Sequence, residues 1–216
     1  MEDKDKEKLV KTGTTTVGIV CSDGIVLAAD KRSSAGYLVA NRKQTKLVKI
    51  ADNMAVTQAG LVSDAQLLSK VIKAEIKLKD IQTGRKTTVK ETANLLAGLL
   101  YQNIRRMSMV PGIVGFILGG FDEEGPGLYE LGVDGSVTKF DEFASDGSGS
   151  VFAIGVLETL YQPGISVDDG IKLVVKAINA SLKRDLATGN GIDVLKITKD
   201  GVQHVFTKEV KTYLEE

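Results

Sequence analysis

The chain has 216 residues, with 43 % hydrophobic and 26 % charged side chains, enough for one domain with a sizeable core. Its 28 basic and 28 acidic residues cancel, and only 5 % of residues are aromatic, with no Trp. That balance gives no support for a nucleic-acid or membrane-surface partner. A single Cys excludes an internal disulfide and fits a reducing, cytoplasmic setting.

Residues 1–8, Met-Glu-Asp-Lys-Asp-Lys-Glu-Lys, carry both signs of charge and no apolar region, so they do not read as a secretory signal. No apolar run is long enough to span a bilayer. Thr14 to Ser22 reads as a strand, and Asp23-Gly24 as a two-residue hairpin leading to the return strand Ile25 to Asp30. Lys31 to Gly36 reads as a turn, Tyr37 to Ala40 as a short extended piece, and Lys46 to Ile50 and Met54 to Ala59 as strands. Ser63-Asp64-Ala65-Gln66 has the spacing of a capping box and predicts a helix that stops at Gly84. Thr88-Val89-Lys90-Glu91 opens a second helix, carried to Pro111-Gly112 by apolar positions that include Met107.

Ile113 to Phe121 is a nearly continuous apolar strand. Leu128 to Val133 and Ser136 to Phe140 flank a second Asp-Gly turn. Ser145 to Ser150 reads as a polar loop before a helix from Val151 to Tyr161, broken by Pro163-Gly164. Ser166 caps a fourth helix, stopped by Gly189-Asn190-Gly191. Asp193 to Thr198 and Val202 to Phe206 form a third Asp-Gly hairpin, and Lys208 to Glu216 reads as a short terminal helix. Strands apolar on both faces need a second sheet on one side and helices on the other. The order of elements therefore predicts an α+β fold, a four-layer α-β-β-α sandwich of two antiparallel sheets flanked by helix pairs.

Chemistry concentrates at Gly13-Thr14-Thr15-Thr16. On its own the Thr triplet fits the start of a β-strand better than a nucleophile. A Thr hydroxyl needs a base within hydrogen-bond reach. Cleavage of the Gly13-Thr14 bond would expose the Thr14 α-amine, whose reference pKa of about 8 suits that task without a His. The chain's one His, His204, and its one Cys, Cys21, read as packing residues on strands. No Cys/His cluster has zinc spacing, so no metal and no cofactor are expected. Taken singly, Asp30 reads as a strand-exit cap, Lys46 as a solvated charge and Asp185 as half of an exposed ion pair, while Ser145 to Ser150, a loop before a helix that could cradle a phosphate, lacks the Gly spacing and the Lys of a P-loop.

Several stretches in order change that weighting. Thr-Gly-Thr-Thr-Thr-Val-Gly at 12–18, Ala-Ala-Asp-Lys-Arg at 28–32 and Ala-Gly-Leu-Val-Ser-Asp-Ala-Gln at 59–66 resemble the β subunits of the proteasome core particle, most closely the archaeal form. Asp-Gly-Ser-Gly-Ser at 146–150, Gly-Val-Leu-Glu at 155–158, and Lys-Arg-Asp with Gly-Asn-Gly within 183–191 extend the resemblance over nearly the whole chain from Gly13.

The resemblance implies a catalytic subunit, a threonine-type endopeptidase acting on unfolded polypeptides. Residues 1–13 would be a pro-segment removed by autocleavage at Gly13-Thr14, and 14–216 a single N-terminal-nucleophile hydrolase domain. Thr14 would be the nucleophile, Lys46 its activating cation and Asp30 the carboxylate that orients Lys46. Gly60 would supply an oxyanion N–H, while Ser148, Asp185 and Thr188 would hold the Thr14 amine and a catalytic water. The family usually has Ser at the position of Thr188. Ser33, Gln58 and Val62 would line the pocket for the residue before the scissile bond. Gln58 replaces a more usual apolar residue there, which points to mixed specificity. The implied partners are homo-oligomeric heptameric β rings, flanking proteasome α-subunit rings and, through those, a regulatory ATPase. A non-catalytic ring member is the alternative, disfavoured by the presence of Gly13, Thr14, Asp30 and Lys46 together. A bacterial two-component peptidase and a phosphate-binding module using the 145–150 loop are further rivals.

Overall fold

A computed structural model describes residues 13–210. The first sheet has five strands in the order β11-β1-β2-β12-β13. These are β1 (Thr16–Cys21), β2 (Gly24–Asp30), β11 (Phe143–Asp146), β12 (Gly191–Thr198) and β13 (Gly201–Glu209). The second sheet runs β10-β9-β8-β6-β5, with the short β7 also paired to β8. Its strands are β5 (Leu47–Ala51), β6 (Met54–Thr57), β7 (Ala59–Gly60), β8 (Val114–Asp122), β9 (Gly125–Leu131) and β10 (Val137–Phe140). A hairpin of β3 (Ser33–Ala35) and β4 (Leu38–Asn41) stands apart. Every strand pairing is antiparallel.

The layers follow from the side chains. Leu27, Ile25, Ile117, Leu128 and Ile197 pack between the two sheets. Ile19, Val26 and Val194 face away from that seam, onto α3 (Ser150–Leu160) and α4 (Val167–Arg184). Phe116, Leu118 and Val56 face the other way, onto α1 (Val62–Thr83) and α2 (Val89–Arg105). The expected four-layer α-β-β-α sandwich is therefore the observed architecture. Small residues set the sheet spacing: a Cβ at Gly18 would stand 2.7 Å from Leu128 and 2.9 Å from Ile117.

Local chemistry explains several boundaries. Thr88 and Glu91 form the expected reciprocal capping box, with Glu91 N–H on Thr88 Oγ1 at 3.2 Å and Thr88 N–H on Glu91 Oε2 at 3.0 Å. Ser63 does not cap its helix. The Leu61 amide is bound to Ile113 O at 2.8 Å, so α1 starts straight off the β7–β8 pairing, and the Ser63 hydroxyl turns to Asp64 instead. The second helix ends at Arg105 rather than at Pro111, where the Asn103 amide reaches Gly112 O at 2.8 Å and holds the following loop back against the helix. Met107, expected on the apolar face, is fully exposed.

Ser145 and Asp146 belong to β11, because they pair with Val17 and Thr16 of β1; only Gly147 to Gly149 remain as loop. Residues 33–35 pair with β4 instead of turning. The fourth helix stops at Arg184, and Gly189-Asn190-Gly191 forms the later turn into β12, with Asn190 at φ 64°. Lys208 and Glu209 complete β13, since Lys208 pairs with Ile192; they are strand, not helix. The rest of that expected helix, 211–216, lies outside the described residues, as do residues 1–12 of the expected pro-segment.

Candidate active site

The β1–β2 hairpin sets the first geometry. Its register brings Asp30, the last residue of β2, back beside Thr15, and the Asp30 N–H donates to Thr15 O at 3.1 Å. The Asp30 carboxylate is 1 % exposed. Its Oδ1 accepts the Thr15 N–H at 2.9 Å, and its Oδ2 accepts the N–H groups of Arg32 and Gly189 at 3.0 Å each. Three backbone donors and one cation satisfy a buried charge that would otherwise be costly.

That cation is Lys46, which comes from the other sheet. Lys46 immediately precedes β5, and its carbonyl accepts the Gln58 N–H at 2.9 Å, fixing it beside β6. Its side chain crosses to Asp30 Oδ1 at 2.7 Å. The same Nζ lies 2.9 Å from Thr14 Oγ1 and 3.3 Å from the Gly13 carbonyl oxygen. Thr14 Oγ1 in turn donates to Gly13 O at 2.7 Å. Burial pushes the Lys46 ammonium below the ordinary lysine value; the neighbouring Asp30 opposes that fall.

A second arm reaches Thr14 from the far side. The Thr14 N–H donates to Ser148 Oγ at 3.3 Å, and Ser148 Oγ donates to Asp185 Oδ2 at 2.6 Å. Asp185 caps the C-terminus of α4 and also accepts the Thr188 hydroxyl. Thr188 Oγ1 lies 2.6 Å from Thr15 Oγ1, so the Thr15 side chain ties this arm to the strand start. Ser148 is exposed and Thr188 is buried, which leaves the Ser148 side open to water.

Gly60 lies across the site from these groups. Its φ is +108° and a Cβ there would stand 2.3 Å from Ile113 O, so only Gly fits. Gly60 lines a pocket of about 20 Å³ together with Gly13, Thr14, Ser33, Gln58 and Val62, room for about one water molecule. Gln58 forms part of its wall. Its Nε2 donates to Ala65 O at 3.2 Å and to Ser69 Oγ at 2.7 Å, which orients the amide because a carbonyl can only accept.

Thus Thr14, Asp30, Lys46, Ser148, Asp185 and Thr188 join one hydrogen-bond network, and Gly60, Ser33, Gln58 and Val62 line the pocket beside it. Lys46 is not a solvated charge, and Asp30 does more than cap the exit of its strand through the Arg32 N–H, since it also binds Lys46 and the N–H groups of Thr15 and Gly189. The 147–149 loop is not free for an anion, because the Gly149 N–H is turned to Thr14 O and a Cβ at Gly147 would stand 2.2 Å from that oxygen. His204 is half-exposed beside Asp193 rather than packed, since it points outward from β13. Cys21 is buried, and burial with the nearby Asp23 pushes its thiol up to about 12, so it stays protonated.

Four nearby residues escaped the sequence reading: Thr15, Arg32, Ala187 and Gly189. Arg32 and Thr15 fall inside the motifs but carry no local signal of a tertiary contact. Ala187 is notable because a Cβ on Gly13 would stand 1.8 Å from its Cβ. Among the described residues no group of His, Cys, Asp and Glu could hold a metal ion, and no helix is long and apolar enough to cross a membrane.

The fold is thus a sandwich of two antiparallel sheets with helix pairs outside, and at the head of its first strand a Thr touches a buried Lys–Asp pair. The family model described as "Proteasome subunit" matches residues 10–197. The chain is 44 % identical over 209 residues to "Proteasome subunit beta" of Archaeoglobus profundus, covering 97 % of this chain and 95 % of that one. It is 42 % identical over 209 residues to the protein of the same name from Archaeoglobus fulgidus, covering 97 % and 96 %. "Proteasome subunit beta 2" of Aeropyrum pernix is 42 % identical over 200 residues, covering 93 % and 89 %. This chain belongs to the proteasome subunit family.

Proposed function

We propose that this chain is a catalytic β subunit of a proteasome core particle, a threonine endopeptidase made active by its own cleavage at Gly13-Thr14. The observation that carries the reading is the position of Lys46 Nζ, in contact at once with Thr14 Oγ1, the Gly13 carbonyl and Asp30.

The uncleaved chain has no Thr14 amine to act as base. Lys46 fills that role in the first step. Burial favours loss of a proton from Lys46, and a neutral –NH₂ would donate to Asp30 and Gly13 O and accept the Thr14 hydroxyl proton once that O–H turns from Gly13 O toward Nζ. Oγ1 attacks the Gly13 carbonyl carbon and its proton passes to Lys46. The oxygen that gains charge is already within reach of Nζ at 3.3 Å. Collapse breaks the C–N bond, the Thr14 nitrogen takes the proton, and an ester joins the Gly13 carbonyl carbon to Oγ1. Water then hydrolyses the ester, releasing residues 1–13 with a new carboxylate and leaving Thr14 with a free amine and hydroxyl.

Turnover repeats the same atoms on a substrate peptide bond. The freed amine, held by Ser148, shares the proton transfer with Lys46, and the Gly60 N–H is offered to the tetrahedral oxyanion. Thr188 keeps the hydroxyl that the Asp185 arm requires, and its methyl is accommodated in a fully buried position. Ser33, Gln58 and Val62 would receive the residue before the scissile bond. Assembly in heptameric β rings between α rings, in the cytoplasm and served by a regulatory ATPase, would cover apolar side chains that are exposed on the single chain, among them Tyr37, Leu38, Ile81 and Val151. Peptidase activity of the assembled particle with Thr14→Ala tests the reading: it is expected to vanish with the Gly13-Thr14 bond intact, and unchanged activity would refute it.

A further inference from the structure

We infer that Arg32 is a positioning residue for the Thr14 site, clamping the 186–190 turn through the bare backbone of Gly189. This rests on the reading of Thr14 as nucleophile. The guanidinium spans the turn: Nε donates to Asn190 Oδ1 at 2.8 Å and Nη1 donates to Leu186 O at 2.9 Å. Between those anchors it lies flat on Gly189. A Cβ at Gly189 would stand 2.2 Å from Arg32 Cζ and 2.3 Å from Nε and Nη2. Gly189 is not among the residues with left-handed backbone, so its lack of a side chain answers to Arg32 and not to φ.

The inner side of the same turn makes the contacts that matter to the site. The Gly189 N–H donates to Asp30 Oδ2 at 3.0 Å, and its carbonyl accepts the Lys31 N–H at 3.2 Å. Thr188 bridges Asp185 and Thr15, and Ala187 packs against Gly13. Arg32 itself reaches neither Thr14 Oγ1 nor the Gly13 carbonyl. It holds the outer face of the wall whose inner face orients Asp30, and so Lys46. Both of its acceptors are neutral oxygens set apart along the turn, so the planar fork matters more than the charge; a Lys ammonium cannot reproduce it.

The test is a double-mutant cycle in assembled particles, Arg32→Ala, Gly189→Ala and both together, with Arg32→Lys alongside. It is read as kcat and KM on a fluorogenic peptide and as the unfolding midpoint. The clamp predicts that Arg32→Ala lowers kcat on the order of 100-fold with KM within about twofold, as expected for a displacement near 1 Å. Arg32→Lys should not recover it, whereas added guanidinium ion at a non-denaturing concentration should recover part. Gly189→Ala should cost as much as Arg32→Ala when Arg32 is present and almost nothing further when it is absent. Additive losses, or a lowered unfolding midpoint with kcat unchanged, would overturn the inference. Should Arg32→Ala fail to assemble, Gly189→Ala and Arg32→Lys decide the question by the same kcat and KM readings. Peptidase activity that survives Thr14→Ala in the parent chain is a separate result, and it removes the reading beneath.

Discussion

Gly13→Ala places the methyl group 1.8 Å from Ala187 Cβ, 2.8 Å from Ala187 Cα and 2.9 Å from Ala187 O. Carbon atoms in ordinary contact sit about 3.5–4.0 Å apart. A gap of nearly 2 Å must therefore open between residue 13 and the turn after α4. Neither side moves freely: the Ala187 N–H is itself bound to Asp185, and the Thr188 and Gly189 that follow are tied to Asp185, Thr15 and Asp30. The movement falls on the Gly13 carbonyl, now 2.7 Å from Thr14 Oγ1 and 3.3 Å from Lys46 Nζ. A shift of even 1 Å takes these beyond hydrogen-bond range and costs on the order of 100-fold in rate. Intact mass followed over time after synthesis and assembly measures the cleavage directly. Gly13→Ala should accumulate uncleaved chain, and Gly13→Ala with Ala187→Gly should recover only part of the rate, because the 2.8 Å and 2.9 Å approaches to the residue 187 backbone remain. Wild-type processing of Gly13→Ala alone would refute this account of why Gly stands before the Thr.

Further outcomes follow from the same network. Since burial lowers the Lys46 value, its neutral amine is present at lower pH than that of a free lysine; Gly13-Thr14 cleavage should rise with pH through that value and then level off. Lys46→Arg stays charged throughout and should leave the chain uncleaved at every pH, as read by a mass time course across buffers. Lys46→Met keeps the aliphatic stem but strands the Asp30 carboxylate; breaking such a buried pair costs about 3–5 kcal/mol, reduced here by three backbone donors, and denaturant unfolding of the purified chain checks it. The oriented Gln58 amide gives the small pocket a polar, uncharged wall, so peptides with apolar, basic and acidic residues before the scissile bond should all be cut at comparable rates. A large exclusive preference for one charged type contradicts that pocket reading.

What the sequence made legible was whatever is encoded locally or matched by motif. Asp23-Gly24 and Asp200-Gly201 marked hairpins one residue late, since Cys21 pairs with Gly24 and Thr198 with Gly201 and the turns are Ser22-Asp23 and Lys199-Asp200, while the Thr88–Glu91 box set a helix start. Strands apolar on both faces required a second sheet, which is how the sandwich could be inferred. The motif residues around Thr14 proved to be neighbours, although Lys46 and Asp30 come from different sheets. What escaped depends on partners distant in sequence. Ser145 and Asp146 look like a polar loop until β1, nearly 130 residues earlier, pairs with them. The helix after Thr88 looks continuous to Pro111 until Asn103 bonds to Gly112 and draws the loop back. Ala187 is an ordinary small residue in sequence, and its consequence for Gly13 exists only once the turn after α4 lies against the strand start.

The central claim is that Thr14 Oγ1 first cuts its own Gly13-Thr14 bond with Lys46 as base, and that Thr14 gains its amine, and with it the power to cut other chains, only when Gly13 leaves. The intact mass of the subunit taken from active, assembled particles tests this most directly. A chain beginning at Thr14, with residues 1–13 lost, is the predicted result, and the Thr14→Ala subunit should retain them. Full-length chain in particles that hydrolyse peptides would contradict it.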